Sequence, residues 1–295
     1  MKSALQKSPI PVNHALVVHY LEQSFFDPNW HFHPEYQLFM VLQGSGTRFV
    51  GDHVKQFKKG EITFSGPNLP HLWRSDQDSL RSQKKGMAKG IVVYFGGNLI
   101  SENLMQKEEM IALRQLFKKS LRGIDILGKT AEKVGVMLRN LLQLEGFDQV
   151  LGLLQILNLL AKSKEYRFLA SPGYTNTLKE GDTDRMNRVY AYVMKHFTQK
   201  ISVSELAALT NMTPTSFSRY FKIHANKTFS EFLSEIRIGH ACKLLIDKKR
   251  NSSQACYESG FQTLSNFNRQ FKTIMNRTPT EYQKKYLDEL SAMVY

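Results

Sequence analysis

The sequence repeats itself in its C-terminal third. Residues 216–222 (Ser-Phe-Ser-Arg-Tyr-Phe-Lys) align with residues 266–272 (Asn-Phe-Asn-Arg-Gln-Phe-Lys) at an offset of 50. The same register continues without a gap from 226–232 to 276–282, with Asn, Thr and Glu at matching positions. A shared offset for this many residue types indicates that one supersecondary unit occurs twice.

Local signals define the first copy of that unit. Ser202 and Glu205 form a capping box that predicts the start of a short helix. Thr213, followed by Pro214 at the first helical position, predicts the start of a second helix after a tight turn. In the second helix Phe217 and Phe221 recur at helical spacing and should pack inward. A short helix, a turn and a second helix with a polar outer face are typical of a helix-turn-helix unit.

The second copy follows the same plan. Gly260 supplies the turn, Thr263 caps the second helix, and Phe267 and Phe271 face inward. A further capping box at Thr228 predicts a connecting helix over 229–247, about 28 Å long at 1.5 Å per residue. A rod of that length could set the two second helices about one DNA turn, roughly 34 Å, apart.

The outward positions of both second helices suit nucleic acid. Arginine can pair with guanine through two hydrogen bonds, whereas lysine contacts phosphate without reading sequence. We therefore predict contacts with double-stranded DNA from Thr215, Ser216, Ser218, Arg219 and Lys222, and from Leu264, Ser265, Asn266, Asn268, Arg269 and Lys272. The cationic run 248–250 either contacts phosphate or closes a helix C-terminus. An all-α protein-binding module is the alternative for the whole repeat.

The charge distribution agrees with a polyanionic partner. The chain has 295 residues and a formal net charge of +14. From Asp184 to the C-terminus there are 17 lysines and arginines against 9 aspartates and glutamates, so the charge is densest there. Neither a signal peptide nor a long apolar segment is apparent, so we expect a cytoplasmic protein with no membrane contact. Cys242 and Cys256 are expected to be buried free thiols.

The chain divides into regions of different periodicity. Residues 1–97 contain short runs of β-branched and aromatic residues separated by turn signals, which predict a β-barrel or sandwich. Residues 98–169 show helical spacing and are predicted to form three helices that link or dimerise the protein. We interpret 170–183 as a linker and 184–295 as an all-α domain, which makes the whole an α+β, two-domain protein.

Histidines mark a candidate site in the β-rich region. His31 and His33 flank one residue and so lie on the same side of an extended segment. With His71 they make a plausible three-ligand metal set. The other interpretations are a pocket for a small polar effector and purely structural histidines. We expect no cofactor, with a metal at these three residues as the alternative.

Residues 184–286 resemble the AraC/XylS family of bacterial transcription regulators, most tellingly in 257–272 and 276–282. The resemblance places the family's Gly-Phe turn on Gly260 and Phe261. It places the base-contacting positions on the outward residues already named, with Thr215, Ser218 and Arg219 in one unit and Leu264, Ser265 and Arg269 in the other. It implies a transcription activator that is a homodimer and has RNA polymerase as a further candidate partner.

The N-terminal region resembles a cupin barrel, the sensor domain of many such regulators. The cupin pattern would make His31, His33 and His71 ligands and places Gln37 where a glutamate is usual. Here the resemblance implies an effector pocket lined by His31, His33, Gln37, Arg48, His71 and Trp73, for a sugar or another small metabolite.

Two alternative functions remain open besides that of a sequence-specific regulator. One is a metal-dependent cupin enzyme of oxygenase or isomerase type, using His31, His33, Gln37 and His71. No catalytic triad and no phosphate loop is apparent, so we expect no enzymatic activity. The other rival is a nonspecific nucleic-acid binder, which predicts steep salt dependence without sequence preference.

Overall fold

The structure is a computed structural model that describes residues 9–26, 29–75, 88–174, 176, 180–247 and 250–292. It divides into two compact units. Met1–His53 and Phe57–Asp184 belong to the first unit, and Val54–Gln56 together with Arg185–Tyr295 form the second. The first unit is rich in β-structure and the second is helical, so the α+β class predicted from the sequence is confirmed.

Nine strands are described between Leu16 and Phe168. They are β1 (Leu16–Gln23), β2 (Tyr36–Gln43), β3 (Gly46–Val50), β4 (His53–Phe57), β5 (Ile62–Ser65), β6 (His71–Ser75), β7 (Ala88–Phe95), β8 (Ile124–Ile126) and β9 (Tyr166–Phe168). They form a six-stranded sheet in the order β1-β7-β2-β5-β8-β9 and a three-stranded sheet in the order β4-β3-β6. The strand pairs are antiparallel.

The two faces of the larger sheet bury different side chains because residues alternate along each strand. One face, with Leu38, Met40 and Val93, packs against the helices of the first unit. The other face, with Phe39 and Val92, joins residues of the smaller sheet in a separate core. We call this second surface the inner face. Of the candidate effector residues, Gln37 of β2 lies on it, two positions from Phe39.

The helices of the first unit lie within the segment predicted to be helical. They are α1 (Glu102–Met105), α2 (Ile111–Ser120), α3 (Gly128–Leu141) and α4 (Gly146–Lys162), with single 3-10 turns at Gly97–Leu99 and Glu108–Met110. Leu153 and Ile156 of α4 are fully buried against the sheet. The apolar residues that α4 exposes are Phe147 and Leu151.

The interpretation of 98–169 as wholly helical is wrong. β8 and β9 interrupt the helices and extend the larger sheet, Ile62 pairing with Ile126 and Ile124 with Phe168. Strands of three residues are too short to show a period of two, which is why the helical spacing on either side dominates the pattern. Ala170 and Ser171, expected in the linker, also bond to the first unit, at Arg122 and Asp52.

From Arg185 onward, the described residues of the second unit form helices joined by short loops. Its helices are α5 (Glu180–His196), α6 (Val203–Leu209), α7 (Pro214–Ala225), α8 (Phe229–Asp247), α9 (Ser252–Glu258), α10 (Leu264–Met275) and α11 (Pro279–Ala292). The connecting helix α8 has the bounds predicted from the sequence. One side of α8 contributes Ile238, Leu244 and Leu245 to a core shared with α9 and α10.

The capping residues predicted from the sequence begin the helices that follow them. The Ser202 hydroxyl accepts from the Glu205 amide, and the Glu205 carboxylate accepts from the Ser202 amide. Thr228 and Glu231 make the same reciprocal pair. Asn251 forms a further capping box with Gln254 at the start of α9. Each box satisfies amides that have no partner within their own helix.

Two further predictions concern the burial of the cysteines and the presence of membrane-spanning helices. Cys242 and Cys256 are free and buried, as expected. Among the described residues, no helix is both long enough and apolar enough to cross a membrane.

Candidate nucleic-acid interface and effector pocket

Helix α7 is held by aromatic packing along its inner side. Thr213 caps it by accepting from the Ser216 amide. Phe217 and Phe221 are fully buried, with ring centroids 5.8 Å apart, and Phe221 packs at 5.2 Å on Phe232 of α8. This contact fixes which side of α7 faces solvent.

The outer side of α7 carries the predicted DNA contacts. All five predicted residues are exposed, namely Thr215, Ser216, Ser218, Arg219 and Lys222. The Ser218 hydroxyl donates to the Pro214 carbonyl one turn back. Among these five residues Arg219 and Lys222 are the basic ones, so they give this surface its positive charge.

Helix α10 is built in the same way. Thr263 caps it, Phe267 and Phe271 are fully buried, and Phe261 of the preceding turn packs on Phe267 at 5.3 Å. The predicted contacts are again all exposed: Leu264, Ser265, Asn266, Asn268, Arg269 and Lys272. Arg269 donates from Nη2 to Asn266 Oδ1 at 3.1 Å, so its guanidinium is oriented along the helix surface.

The two helices share one surface chemistry. Each exposes an arginine that can pair with guanine and a lysine that can neutralise a phosphate. Of the cationic run 248–250, Lys248 and Lys249 lie outside the described residues. Arg250 Nε lies 3.0 Å from Glu258 Oε1, which partly neutralises it.

A cavity of about 180 Å³ lies at the inner face of the first unit. Aromatic and aliphatic side chains form most of its wall, and imidazoles and an amide form its polar end. The lining residues are Leu21, Gln23, Phe26, His31, Gln37, Phe39, His71, Trp73, Val92 and Tyr94. Four of the six predicted effector residues, His31, Gln37, His71 and Trp73, are therefore brought together.

The three histidines converge at the polar end. An isolated β-bridge joins His31 to His71, and their ring centroids are 4.6 Å apart. The His33 ring lies 5.0 Å from that of His71. One ligand atom from each of the three lies within 4.8 Å of the others. Burial, and after it repulsion by His31 and His33, holds the pKa of His71 well below its usual range, so His71 is neutral near pH 7.

Gln37 connects two of the histidines. Its side-chain amide lies 3.1 Å from His33 Nε2 and 3.0 Å from His71 Nε2. His33 is buried behind this contact and does not line the cavity, which corrects its predicted role as a wall residue. It supports the wall through Gln37 and His71 instead.

Glu35 is also buried, and its carboxylate lies 3.4 Å from His33 Nδ1. Residues two positions apart lie on the same side of an extended chain. The backbone bends at residues 34–35 before β2 begins.

Arg48 does not belong to the cavity, contrary to the prediction. It is fully buried, and its guanidinium lies 3.2 Å from Asp125 Oδ1 and 3.3 Å from Glu61 Oε2. A buried guanidinium needs carboxylate partners, and β8 supplies one. Arg48 is therefore a structural residue of the first unit.

The sequence reasoning missed several wall residues. Phe39 and Tyr94 lie on the inner face beside Gln37, because β2 pairs with β7 so that Gln37 faces Tyr94 and Phe39 faces Val92. Alternation along β2 from Gln37 could have indicated Phe39. Tyr94 could be identified as a wall residue only from the pairing of β2 with β7.

Two family models match the chain. An AraC-like ligand binding domain matches residues 14–123, and a helix-turn-helix domain matches residues 206–285. Together they cover more than half of the chain, and they fall on the first and second units respectively.

Each of two curated relatives matches about a third of this chain. "Uncharacterized HTH-type transcriptional regulator YdeC" of Bacillus subtilis is 30% identical over 100 residues, which are 34% of this chain and 34% of that protein. An "Uncharacterized HTH-type transcriptional regulator" of Staphylococcus aureus is also 30% identical over 100 residues, 34% of this chain but 13% of that protein. The chain thus spans about a third or less of these relatives' length.

Among solved structures, an apo ToxT variant from Vibrio cholerae is 18% identical, with 92% of this chain and 97% of that chain covered and a TM-score of 0.35. At that TM-score the likeness carries no weight in the assignment, which rests on the two family models. An AraC-like ligand binding domain followed in one chain by a helix-turn-helix domain shows that this protein belongs to the AraC family of transcription regulators.

Proposed function

We propose that the protein is a sequence-specific DNA-binding transcription regulator, whose first unit binds a small-molecule effector. The observation that carries the proposal is the duplicated helix. Both α7 and α10 bury two phenylalanines and expose an arginine and a lysine one turn apart. An exposed cationic face on a rigidly packed second helix is what major-groove recognition requires.

The connecting helix supports the use of both copies on one duplex. α8 packs against α7 through Phe232 and against α10 through the core containing Leu245 and Phe271. A helix of this length can place two recognition helices about one turn of DNA apart, roughly 34 Å. We infer a bipartite site with two short recognised segments.

Selection of bound sequences from a random DNA pool tests the proposal. We expect one enriched pattern with two conserved segments separated by about 10 base pairs. Lys222→Ala should weaken binding to all sequences alike and flatten the salt dependence by about one unit of slope. Lys162→Ala, an exposed cation on α4 of the first unit, is the matched control and should leave both unchanged. Equal recovery of all sequences would mean a nonspecific binder.

The cavity suggests the kind of effector. Its volume of about 180 Å³ admits a ligand with one ring, since a cavity on the order of 150 Å³ holds benzene. Phe26, Phe39 and Trp73 offer ring faces, while His31, Gln37 and Tyr94 can hydrogen-bond. A monosaccharide or a single-ring metabolite with polar groups on one edge fits this wall.

Thermal unfolding of the full chain with and without ligand tests the effector role. Titration with monosaccharides and single-ring metabolites should raise the unfolding temperature for one of them, by linkage of binding to folding. Tyr94→Phe should reduce that shift, whereas Tyr192→Phe in the second unit should not. A shift that persists unchanged in Tyr94→Phe would place the ligand elsewhere.

The partners implied by the family are part of the same proposal. We infer a homodimer, with the exposed Phe147 and Leu151 of α4 as its apolar contact, and coupling of effector binding to DNA binding through that pairing. From the family resemblance we also expect the protein to activate transcription through contact with RNA polymerase. A protein that binds bacterial chromosomal DNA acts in the cytoplasm.

A further inference from the structure

The two recognition helices, α7 and α10, give their outward arginines different neighbours. In the repeat, Asn266 and Arg269 of α10 correspond to Ser216 and Arg219 of α7. All four residues are exposed, and the members of each pair are three residues apart, so their side chains are neighbours on the helix surface. The two copies therefore provide a comparison within one chain.

In α10 the side chain of Asn266 holds the arginine. Nη2 of Arg269 donates to Oδ1 of Asn266 at 3.1 Å. Asn266 lies in the first turn of α10, because the Thr263 hydroxyl caps the helix by accepting from the backbone N–H of Asn266. The hydrogen bond therefore draws the guanidinium toward the N-terminal end of α10, which is the end that contacts base edges in helix-turn-helix complexes.

In α7 the corresponding side chain is engaged elsewhere. The backbone caps match, since the Thr213 hydroxyl accepts from the backbone N–H of Ser216. The Ser216 hydroxyl, however, accepts from Thr213 Oγ1 at 2.9 Å. Its oxygen also lies one bond closer to the backbone than the amide oxygen of an asparagine. Ser216 thus does not give Arg219 the support that Asn266 gives Arg269.

The hydrogen bond to Asn266 leaves Arg269 able to pair with guanine. A guanidinium carries five N–H donors in a fixed plane, and the guanine edge takes two of them. Asn266 uses one hydrogen of Nη2, so the other Nη2 hydrogen and both hydrogens of Nη1 stay available. Water competes for this exposed bond in the free protein, but the bond is stronger where DNA excludes water.

We propose that Asn266 is a positioning residue for Arg269, and that the second helix-turn-helix unit therefore discriminates among bases more strictly than the first. The proposal rests on the proposed function, in which both arginines contact bases. An arginine that is already oriented loses less conformational freedom when it binds. A fixed guanidinium fits the two acceptors of guanine, whereas a freely rotating one also reaches single acceptors on other bases or a phosphate.

The test uses the full chain and the DNA site selected for it. Base preference is the ratio of affinities for the preferred base and the other bases, measured at the two positions that Arg219→Ala and Arg269→Ala relax. In the natural chain the ratio should be larger at the Arg269 position. Asn266→Ser, which copies the first unit, should lower it there by about 2- to 10-fold, the effect of ordering one long side chain. Ser216→Asn should raise the ratio at the Arg219 position by a similar factor.

Two further variants separate positioning from a merely structural role. Asn266→Asp keeps an acceptor oxygen beside Arg269 and should keep the base preference, while its negative charge weakens binding to all sequences. Asn140→Ser makes the same exchange as Asn266→Ser at an exposed position of α3 in the first unit, and it should leave both preferences unchanged. Far-UV circular dichroism verifies that each variant keeps its helices.

Two results with Asn266→Ser would overturn the proposal. One is an unchanged base preference. The other is relaxed preference at a position different from that of Arg269, which would make Asn266 itself a base-contacting residue. A folded Ser216→Asn variant that discriminates no better than the natural chain would contradict the proposal equally.

These failures are distinguishable from failure of the proposed function. A selected pattern with two conserved segments, together with the loss of one base preference in Arg269→Ala, establishes sequence-specific binding whatever the Asn266 variants do. Absence of any such pattern in the natural chain would instead contradict the proposed function, and the role of Asn266 with it.

Discussion

Asp125 carries a negative charge that two arginines of the first unit share. Arg48 Nη1 lies 3.2 Å from one carboxylate oxygen, and Arg167 Nη2 lies 2.5 Å from the other. Burial alone would raise the pKa of Asp125, but the charges and hydrogen bonds of Arg48 and Arg167 outweigh it and lower that pKa. The carboxylate is therefore ionised in the folded state at any pH above its usual range.

Asp125→Asn should destabilise the first unit by about 3 kcal/mol, because among the described residues it leaves the fully buried Arg48 with Glu61 as its remaining counter-charge. A lowered folded-state pKa stabilises above the unfolded value, about 3.9, and that contribution fades as pH falls toward the folded value. The deficit of the variant should therefore be full at pH 7 and shrink below about pH 4. Urea unfolding followed by the fluorescence of Trp30 and Trp73, both in the first unit, measures it.

Arg167→Gln is the control for that change. The Arg167 side chain is 47% exposed, so its removal should cost under about 1 kcal/mol. Equal losses for the two variants, or a deficit in Asp125→Asn that does not depend on pH, would contradict the account of this network.

Such long-range pairs mark the limit of prediction at single residues. Arg48 was predicted to line the effector pocket from the resemblance to a cupin barrel, but its partner Asp125 lies 77 residues away on a three-residue strand. His31 and His33 were predictable as a pair because one residue separates them. Gln37 was predicted only through a family pattern, and its contacts to both His33 and His71 required the fold.

The turns before α7 and α10 are two solutions to one problem at the scale of elements. Both helix-turn-helix units need a residue with positive φ: Asn211, at 56°, in the first and Gly260, at 89°, in the second. At Gly260 a side chain has no room, since a Cβ would lie 2.7 Å from the backbone of Thr198. The second turn therefore requires glycine for two independent reasons.

Gly260→Ala should destabilise the second unit by about 3 kcal/mol, combining the strain of positive φ with the clash. Asn211→Ala should lower the free energy of unfolding by about 1 kcal/mol, because it introduces the strain of positive φ without a clash. Calorimetric unfolding of the two variants compares them directly. If Asn211→Ala costs as much as Gly260→Ala, the close approach to Thr198 does not limit the second turn.

The elements differ in how far the sequence predicts them. Helix starts in the second unit were predictable, because a cap and its partner lie three residues apart, as in Thr228 and Glu231. Strands β8 and β9 were missed, because residues 98–169 were predicted to be helical. β8 and β9 have three residues each and lie between helices, and their pairing with β5 and with each other creates them. Pairing between strands that are distant in the sequence does not appear in a local residue pattern.

At the scale of the whole molecule, the chain joins a unit with a small cavity to a unit with two exposed cationic helices. The cavity's polar end and the recognition helices lie in different units, so each can be tested alone by substitutions in the full chain. We expect Arg219 and Arg269, both in the second unit, to contact bases at separate positions of one bipartite DNA site.

Base-preference maps of Arg219→Ala and Arg269→Ala on the selected DNA site test this claim most directly. We expect each variant to lose about 1–3 kcal/mol on its preferred sequence and to relax base choice at one position. The two positions should lie in different segments, about 10 base pairs apart. Unchanged preferences in both variants, or relaxation at the same position by both, would contradict the account.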